Sequence, residues 1–303
     1  MVRVVLLVLA QVAAGAGAWG SLRPPECADV NGRATNPWER AKSPELRRYC
    51  DLVASASSKL AGTAAMAAAA LDTAREADAL LPGRAAPLVL EGRALAFLGK
   101  LDEAYAAFTR GADRDPRALD DPLALVAWAR VLARTGHVGP ATEAYRALMP
   151  RASTLSTAER ASAAVEAGLL AFARGPAGLD DAASALREGM RDAQDDVQGV
   201  AVLALALALD RRGDADEARV LLVNRARGDP RAVLSAPRGK EVLAVAPGEG
   251  PALSALALES GDPASAKEDW DTYVEGAPSG PWAAHARAHL TDLARRSSRR
   301  RGR

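Results

Sequence analysis

The sequence predicts an all-α chain, a superhelical array of antiparallel helix pairs closed by a C-terminal capping helix. Three observations lead there. Isoleucine is absent and aromatics make up only 4% of the 303 residues, while alanine and leucine abound, which favours helix nearly everywhere. No segment alternates apolar and polar residues long enough to lay down a sheet. One spacing of small and large apolar residues recurs through most of the chain.

The recurring unit is clearest from Ala86 to Pro116. Gly92 and Ala104 are the small residues that let two helices cross closely, with Leu88, Leu95, Leu101 and Phe108 filling around them. Gly99 frees the turn between the helices and Asp102 opens the second one. Pro116 stops it, with Asp115 biased away from helical geometry. A single pair buries too little apolar surface to stand alone, so neighbours must stack on it.

The unit repeats in phase. Ala70, Ala74, Ala77 and Pro82 match Ala104, Phe108, Gly111 and Pro116 at an offset of 34. Gly136, Val138, Ala141 and Tyr145 match Gly99, Leu101, Ala104 and Phe108 at an offset of 37. Ala182 and Leu186 follow after a lengthened turn, Gly175-Pro176-Ala177-Gly178. Gly213, Ala215, Ala218, Leu222 and Pro230 restore the pattern, and Gly261, Ala266, Trp270 and Pro278 close it. About six helix pairs therefore occupy residues 44–278, interrupted by a Pro- and Gly-rich insertion at 231–251. Insertions in such arrays emerge on one face, often the binding face; a packed spacer is the other reading.

The run Leu88-x2-Glu91-Gly92-x2-Leu95, Ala104-x3-Phe108, Pro116 resembles a tetratricopeptide repeat, whose pattern is W-x2-L-G-x2-Y, then A-x3-F, then P. Leucine replaces the aromatic residues and Glu91 the first leucine. The phrase from Trp270 to Leu290 is similar to the last repeats of bacterial envelope proteins of this family. The resemblance implies a non-catalytic scaffold that binds a protein or peptide partner, in assembly of an envelope complex for the outer membrane, motility or secretion.

In this family the first helix of each pair lines a concave face. The resemblance places Lys59, Arg93 and Arg130 there, each eleven residues before its register alanine. Arg134 and Arg211 stand one turn further on. Such a ladder of cations would favour an acidic or carboxylate-bearing peptide; the plainer reading is ordinary solvated helix charge. The family's clamp for a carboxylate terminus is not reproduced, since Val89 stands where a lysine would be expected.

The ends of the chain differ from its body. Residues 1–20 combine Arg3, the apolar run Val4–Ala10 and small residues forming A-x-A sites, the outline of a secretory signal peptide. Gln11 breaks the run well short of a membrane span. Export to the periplasm is expected, and the preference for arginine over lysine, 34 to 5, matches GC-rich bacterial genomes. Cys27 and Cys50, the only cysteines, then read as a disulfide tying the irregular segment 21–43 to the array, worth roughly 3 kcal/mol in the chain-entropy model. In a cytosolic protein they would be two free thiols. Residues 281–295 read as the capping helix. Net charge is +1, but six arginines lie from Arg295 onward with no acid among them. Residues 296–303 are expected to be a disordered basic tail, which could touch an anionic membrane surface. Nucleic acid is not an expected partner.

Little in the sequence points to chemistry. His285 and His289 stand four apart on one helical face, a spacing that can hold Zn. No third ligand is evident near them, so neither metal nor cofactor is expected. Asp120-Asp121, Asp180-Asp181 and Asp195-Asp196 fall at helix starts, where carboxylates suit the helix dipole. No nucleophile elbow, Walker loop or dinucleotide-binding glycine pattern occurs, so an enzyme is not expected.

Overall fold

The computed structural model describes residues 24–28 and 44–301. The expected leader at 1–20 lies outside the described residues, as does most of the 21–43 segment. No strand occurs among the described residues. A short helix α1 (Pro25–Ala28) precedes the first pair, α2 (Pro44–Lys59) and α3 (Ala64–Leu80). Then come the pairs α4 (Ala85–Phe97) with α5 (Leu101–Arg114), and α6 (Pro122–Arg134) with α7 (Val138–Leu148). They are followed by α8 (Thr157–Ala171) with α9 (Leu179–Asp192), and α10 (Asp195–Arg211) with α11 (Ala215–Arg225). The insertion forms α12 (Pro230–Ser235) and α13 (Pro237–Leu243). The last pair is α14 (Gly250–Leu258) with α15 (Pro263–Gly276), capped by α16 (Ala283–Arg301).

The repeat rests on a shared turn. Gly99, Gly136 and Gly213 all adopt positive φ, at 76°, 83° and 96°. In each case the next amide reaches back to a leucine carbonyl five residues earlier: Lys100 to Leu95 at 2.9 Å, His137 to Leu132 at 2.8 Å, Asp214 to Leu209 at 2.9 Å. This is a glycine-terminated helix end, in which the left-handed residue lets the chain satisfy the last open carbonyls. The crossing residues also behave as expected. A Cβ on Gly92 would come within 2.8 Å of the Phe108 ring, so α4 and α5 pack as closely as they do only because that position is bare. Ala104, Ala107 and Phe108 are fully buried beside it.

Successive first helices touch, α2 with α4, α4 with α6, and α8 with α10, which sets them side by side. Helix starts are secured by side chains: Asp121 accepts from the Ala124 amide at 2.8 Å, and Ser156 accepts from Glu159 at 3.2 Å. At the N-terminal end Cys27 and Cys50 form a disulfide. It lies among Tyr49, Val53, Ala56 and Leu90, and Tyr49 donates to Glu26 at 3.1 Å. The short helix α1 is thereby fastened to α2.

Two points of the sequence reading are resolved here. Of the two readings of the insertion the packed spacer holds: α12 and α13 pack on α10, and α13 also reaches α8, so it lies across the first helices. The reason is α10 itself, where Val200 to Leu209 are all buried. A helix apolar all round needs cover on every side. Second, residues 296–301, expected to be disordered, continue α16. No proline or glycine interrupts the chain from Ala283 to Arg301, and arginines near a helix C-terminus complement its dipole. None of the described helices is long and apolar enough to cross a membrane.

Candidate functional site

A hollow of about 530 Å³ lies where α4 and α6 face the insertion. Arg93 and Phe97 of α4, Leu123 and Arg134 of α6, and Arg238 and Val245 of the insertion line it. Phe97 and Leu123 are 52% and 42% exposed. A different hollow, between Pro24–Glu26, Gly83–Ala86 and Arg114–Ala118, lies among inter-repeat turns rather than on the first helices.

The predicted cations do not share one fate. Arg134 is exposed and has no ion-pair partner among the described residues. Arg93 is nearly buried, with burial lowering its pKa against the pull of Asp121 and Glu159. Its closest carboxylate oxygen, on Asp121, is 3.9 Å away, and its Nη1 is buried without a hydrogen-bond partner. Arg134 therefore offers its donors to the hollow, while Arg93 keeps a buried, unbonded donor beside Asp121 at its wall. Arg130 lines it too, but its fork is occupied. Nε donates to both oxygens of Glu166 at 2.9 Å and Nη1 to Glu159 at 2.7 Å. Glu166 is wholly buried and accepts from the Tyr145 hydroxyl at 2.9 Å. Arg130 thus ties α6 to α8. Arg238 is engaged as well, with Glu241 at 2.8 Å.

Lys59 and Arg211 stand elsewhere. Lys59 donates to Thr73 Oγ1 at 2.6 Å, tying the end of α2 to α3. Arg211, expected on an open groove, has a side chain with no exposure at all. Its guanidinium lies 4.8 Å from the Phe172 ring centroid and 4.7 Å from that of Trp282. Nη2 donates to Glu249 at 2.7 Å and to the Tyr273 hydroxyl at 3.0 Å. Glu249 belongs to the insertion, and Trp282 precedes the cap and donates to the Phe172 carbonyl at 3.0 Å. Arg211 is a junction residue, closed off by the segments that come after the fifth pair.

Beside it the structure supplies what the sequence reading of His285 and His289 lacked. Asp210, last but one in α10, places Oδ2 2.9 Å from Nε2 of both histidines. The second nitrogen of His289 meets Glu259 Oε1 at 2.6 Å, and Glu259 also accepts from Trp270 Nε1 at 2.9 Å. Burial opposes charge on the His289 ring, but hydrogen bonds to Asp210 and Glu259 prevail and its pKa is pushed up to about 9. Burial likewise disfavours the Asp210 carboxylate, yet hydrogen bonds with the two histidines hold its pKa well below the usual carboxylate range.

No family model matches the chain, and no curated protein sequence is similar to it. Among solved structures it is similar to TTC0263, a thermophilic TPR protein of Thermus thermophilus. The two share 22% identity and a TM-score of 0.37, over 69% of this chain and 98% of that one. It is also similar to the APC/C hetero-tetramer Cut9-Hcn1, with 14% identity and a TM-score of 0.37, over 82% of this chain and 48% of that one. Likeness this distant decides nothing about function. The all-α, tetratricopeptide-like character of the array stands on its own recurring turns and crossings.

Proposed function

We propose that the chain is a non-catalytic scaffold that holds a protein or peptide partner of acidic character in the hollow between α4, α6 and the insertion. The observation carrying this reading is the meeting of cationic side chains, Arg134 unpaired among the described residues, with bare apolar surface. Arg134 faces the hollow with no ion-pair partner among the described residues, and Arg93 lines it with only Asp121, 3.9 Å away, beside exposed Phe97 and Leu123. An extended segment bearing a carboxylate and an apolar side chain would satisfy both. The apolar leader at 1–20 and the Cys27–Cys50 disulfide favour an exported, periplasmic protein, and the family resemblance favours work in assembling an envelope complex. The test is affinity purification from the native envelope with quantitative mass spectrometry. Arg134→Glu should cut recovery of the specific partner about tenfold or more, equivalent to about 1.4 kcal/mol. Arg146→Glu, whose native arginine pairs with Glu143 on α7, should not. Equal recovery with Arg134→Glu would remove the hollow from the account.

A second reading has its own observation. Arg295, Arg296 and Arg299 are exposed along the end of α16, a basic helical surface suited to anionic lipid headgroups. Deleting residues 295–303 and measuring sedimentation with anionic vesicles separates the two. Loss of vesicle binding with partner recovery intact would favour the tail.

A further inference from the structure

We propose that Asp210, His285 and His289 form a binding site for a transition-metal dication of the Zn²⁺ class, which clasps the capping helix to the array. The Oδ2 of Asp210 and the Nε2 of each histidine lie within 4.8 Å of one another. Both imidazoles aim the same nitrogen at the same carboxylate oxygen, 2.9 Å away. Two imidazoles and one carboxylate facing a common point are the donor set of three-ligand Zn²⁺, Ni²⁺ or Co²⁺ sites, and two nitrogen ligands exclude a preference for Ca²⁺ or Mg²⁺.

The surroundings fit ligation. His289 stacks on Trp270 with centroids 4.7 Å apart and planes 23° from parallel, so its ring orientation is set before any ion arrives. Its Nδ1 meets Glu259 at 2.6 Å. With Nδ1–H donating to Glu259, an ion that displaces the Nε2 proton now facing Asp210 takes up that lone pair, and the Glu259 contact is the usual outer-shell support for a ligating imidazole. Trp270 Nε1 holds Glu259 in place in turn. His285 lies edge-on to Trp270 and Trp282. The ligand side chains are 7%, 21% and 17% exposed for Asp210, His285 and His289, which leaves an edge through which an ion can enter and water can take the fourth position. Asp210 comes from α10, both histidines from α16 and Glu259 from the turn after α14, so the bound ion would fasten three elements at once.

The experiment uses the full chain without a polyhistidine tag, stripped with a chelator and titrated with Co²⁺ and, by calorimetry, Zn²⁺. One equivalent per chain is expected, with the visible bands of a low-coordinate Co²⁺ centre and a rise in Tm on adding Zn²⁺. His285→Gln should abolish the bands, and Glu259→Gln should weaken Zn²⁺ binding about 10- to 100-fold while leaving the stoichiometry at one. Each variant's helical circular dichroism is recorded without metal. If His285→Gln is unfolded, His289→Gln takes its place. Wild-type protein that binds less than one equivalent, or binds as tightly after either histidine is replaced, would overturn the site. The cluster would then be only a hydrogen-bonded clasp.

Discussion

Arg134 and Arg211 occupy the same place in two repeats, each seven residues before its register alanine, Ala141 and Ala218. One lies exposed at the rim of the hollow; the other is sealed in a box of Phe172, Tyr273 and Trp282 with Glu249 as its counterion. Nothing within the two helices accounts for the difference. It arises from the segments downstream of each repeat. Another plain helix pair succeeds α6 and α7, whereas α10 and α11 are succeeded by the insertion, the last pair and the turn into the cap, which supply Glu249, Tyr273 and Trp282 in that order. In a repeat array the role of a position is set by its neighbours as much as by its register. The N-terminal half therefore keeps an open face and the C-terminal half uses the same face to close the molecule.

The largest effect should come from cutting into the closed half. Arg211→Ala removes a cation with no exposure and strands Glu249 and the Tyr273 hydroxyl. Breaking a buried pair from one side costs about 3–5 kcal/mol. Urea unfolding should show that loss and, if the box holds the cap as described, faster proteolysis within α16. A loss below about 1 kcal/mol would mean that the two positions differ less than their burial suggests.

Arg130 sharpens the contrast, because it sits in the open half yet acts as a tie. Arg130→Met leaves Glu166 buried and unpaired, and should cost about 2–3 kcal/mol, the lower side of the buried range because one partner is 22% exposed. Adding Glu166→Gln removes the stranded charge while still accepting the Tyr145 hydroxyl, and should recover most of that loss. If the double variant is no more stable than Arg130→Met, the Arg130–Glu166 pair is not what joins α6 to α8.

These differences mark what could be read from the chain alone. Helix pairs, the turn glycines and the disulfide followed from spacing, because each depends on residues near one another in sequence or on a two-cysteine inventory. The uninterrupted apolar stretch Val200–Leu209 was a usable signal that α10 needs cover all round, but nothing in it named the insertion as that cover. A lone carboxylate, Glu166, between Val165 and the apolar run to Leu170 is a signal that could have flagged a buried partner, though not that the partner is Arg130. The meeting of Asp210 with His285 and His289 was not legible. It depends on how the cap turns back onto a helix whose position the insertion determines, and no local spacing encodes that. The continuation of α16 was obscured by net charge, which argues for solvation but does not oppose helix in an arginine- and serine-containing run free of glycine and proline.

The smallest expected effect is the most discriminating. Arg134→Ala deletes the register counterpart of Arg211, yet Arg134 is exposed and makes no ion pair among the described residues. Substitutions of that kind stay within about 0.5 kcal/mol, so its urea midpoint should match wild type while Arg211→Ala unfolds early. Partner recovery should move the opposite way, falling for Arg134→Ala in a protein of undiminished stability. A measurable stability loss at Arg134 would instead mean that the open face is also packed against something within the chain, and the asymmetry between the two halves would disappear.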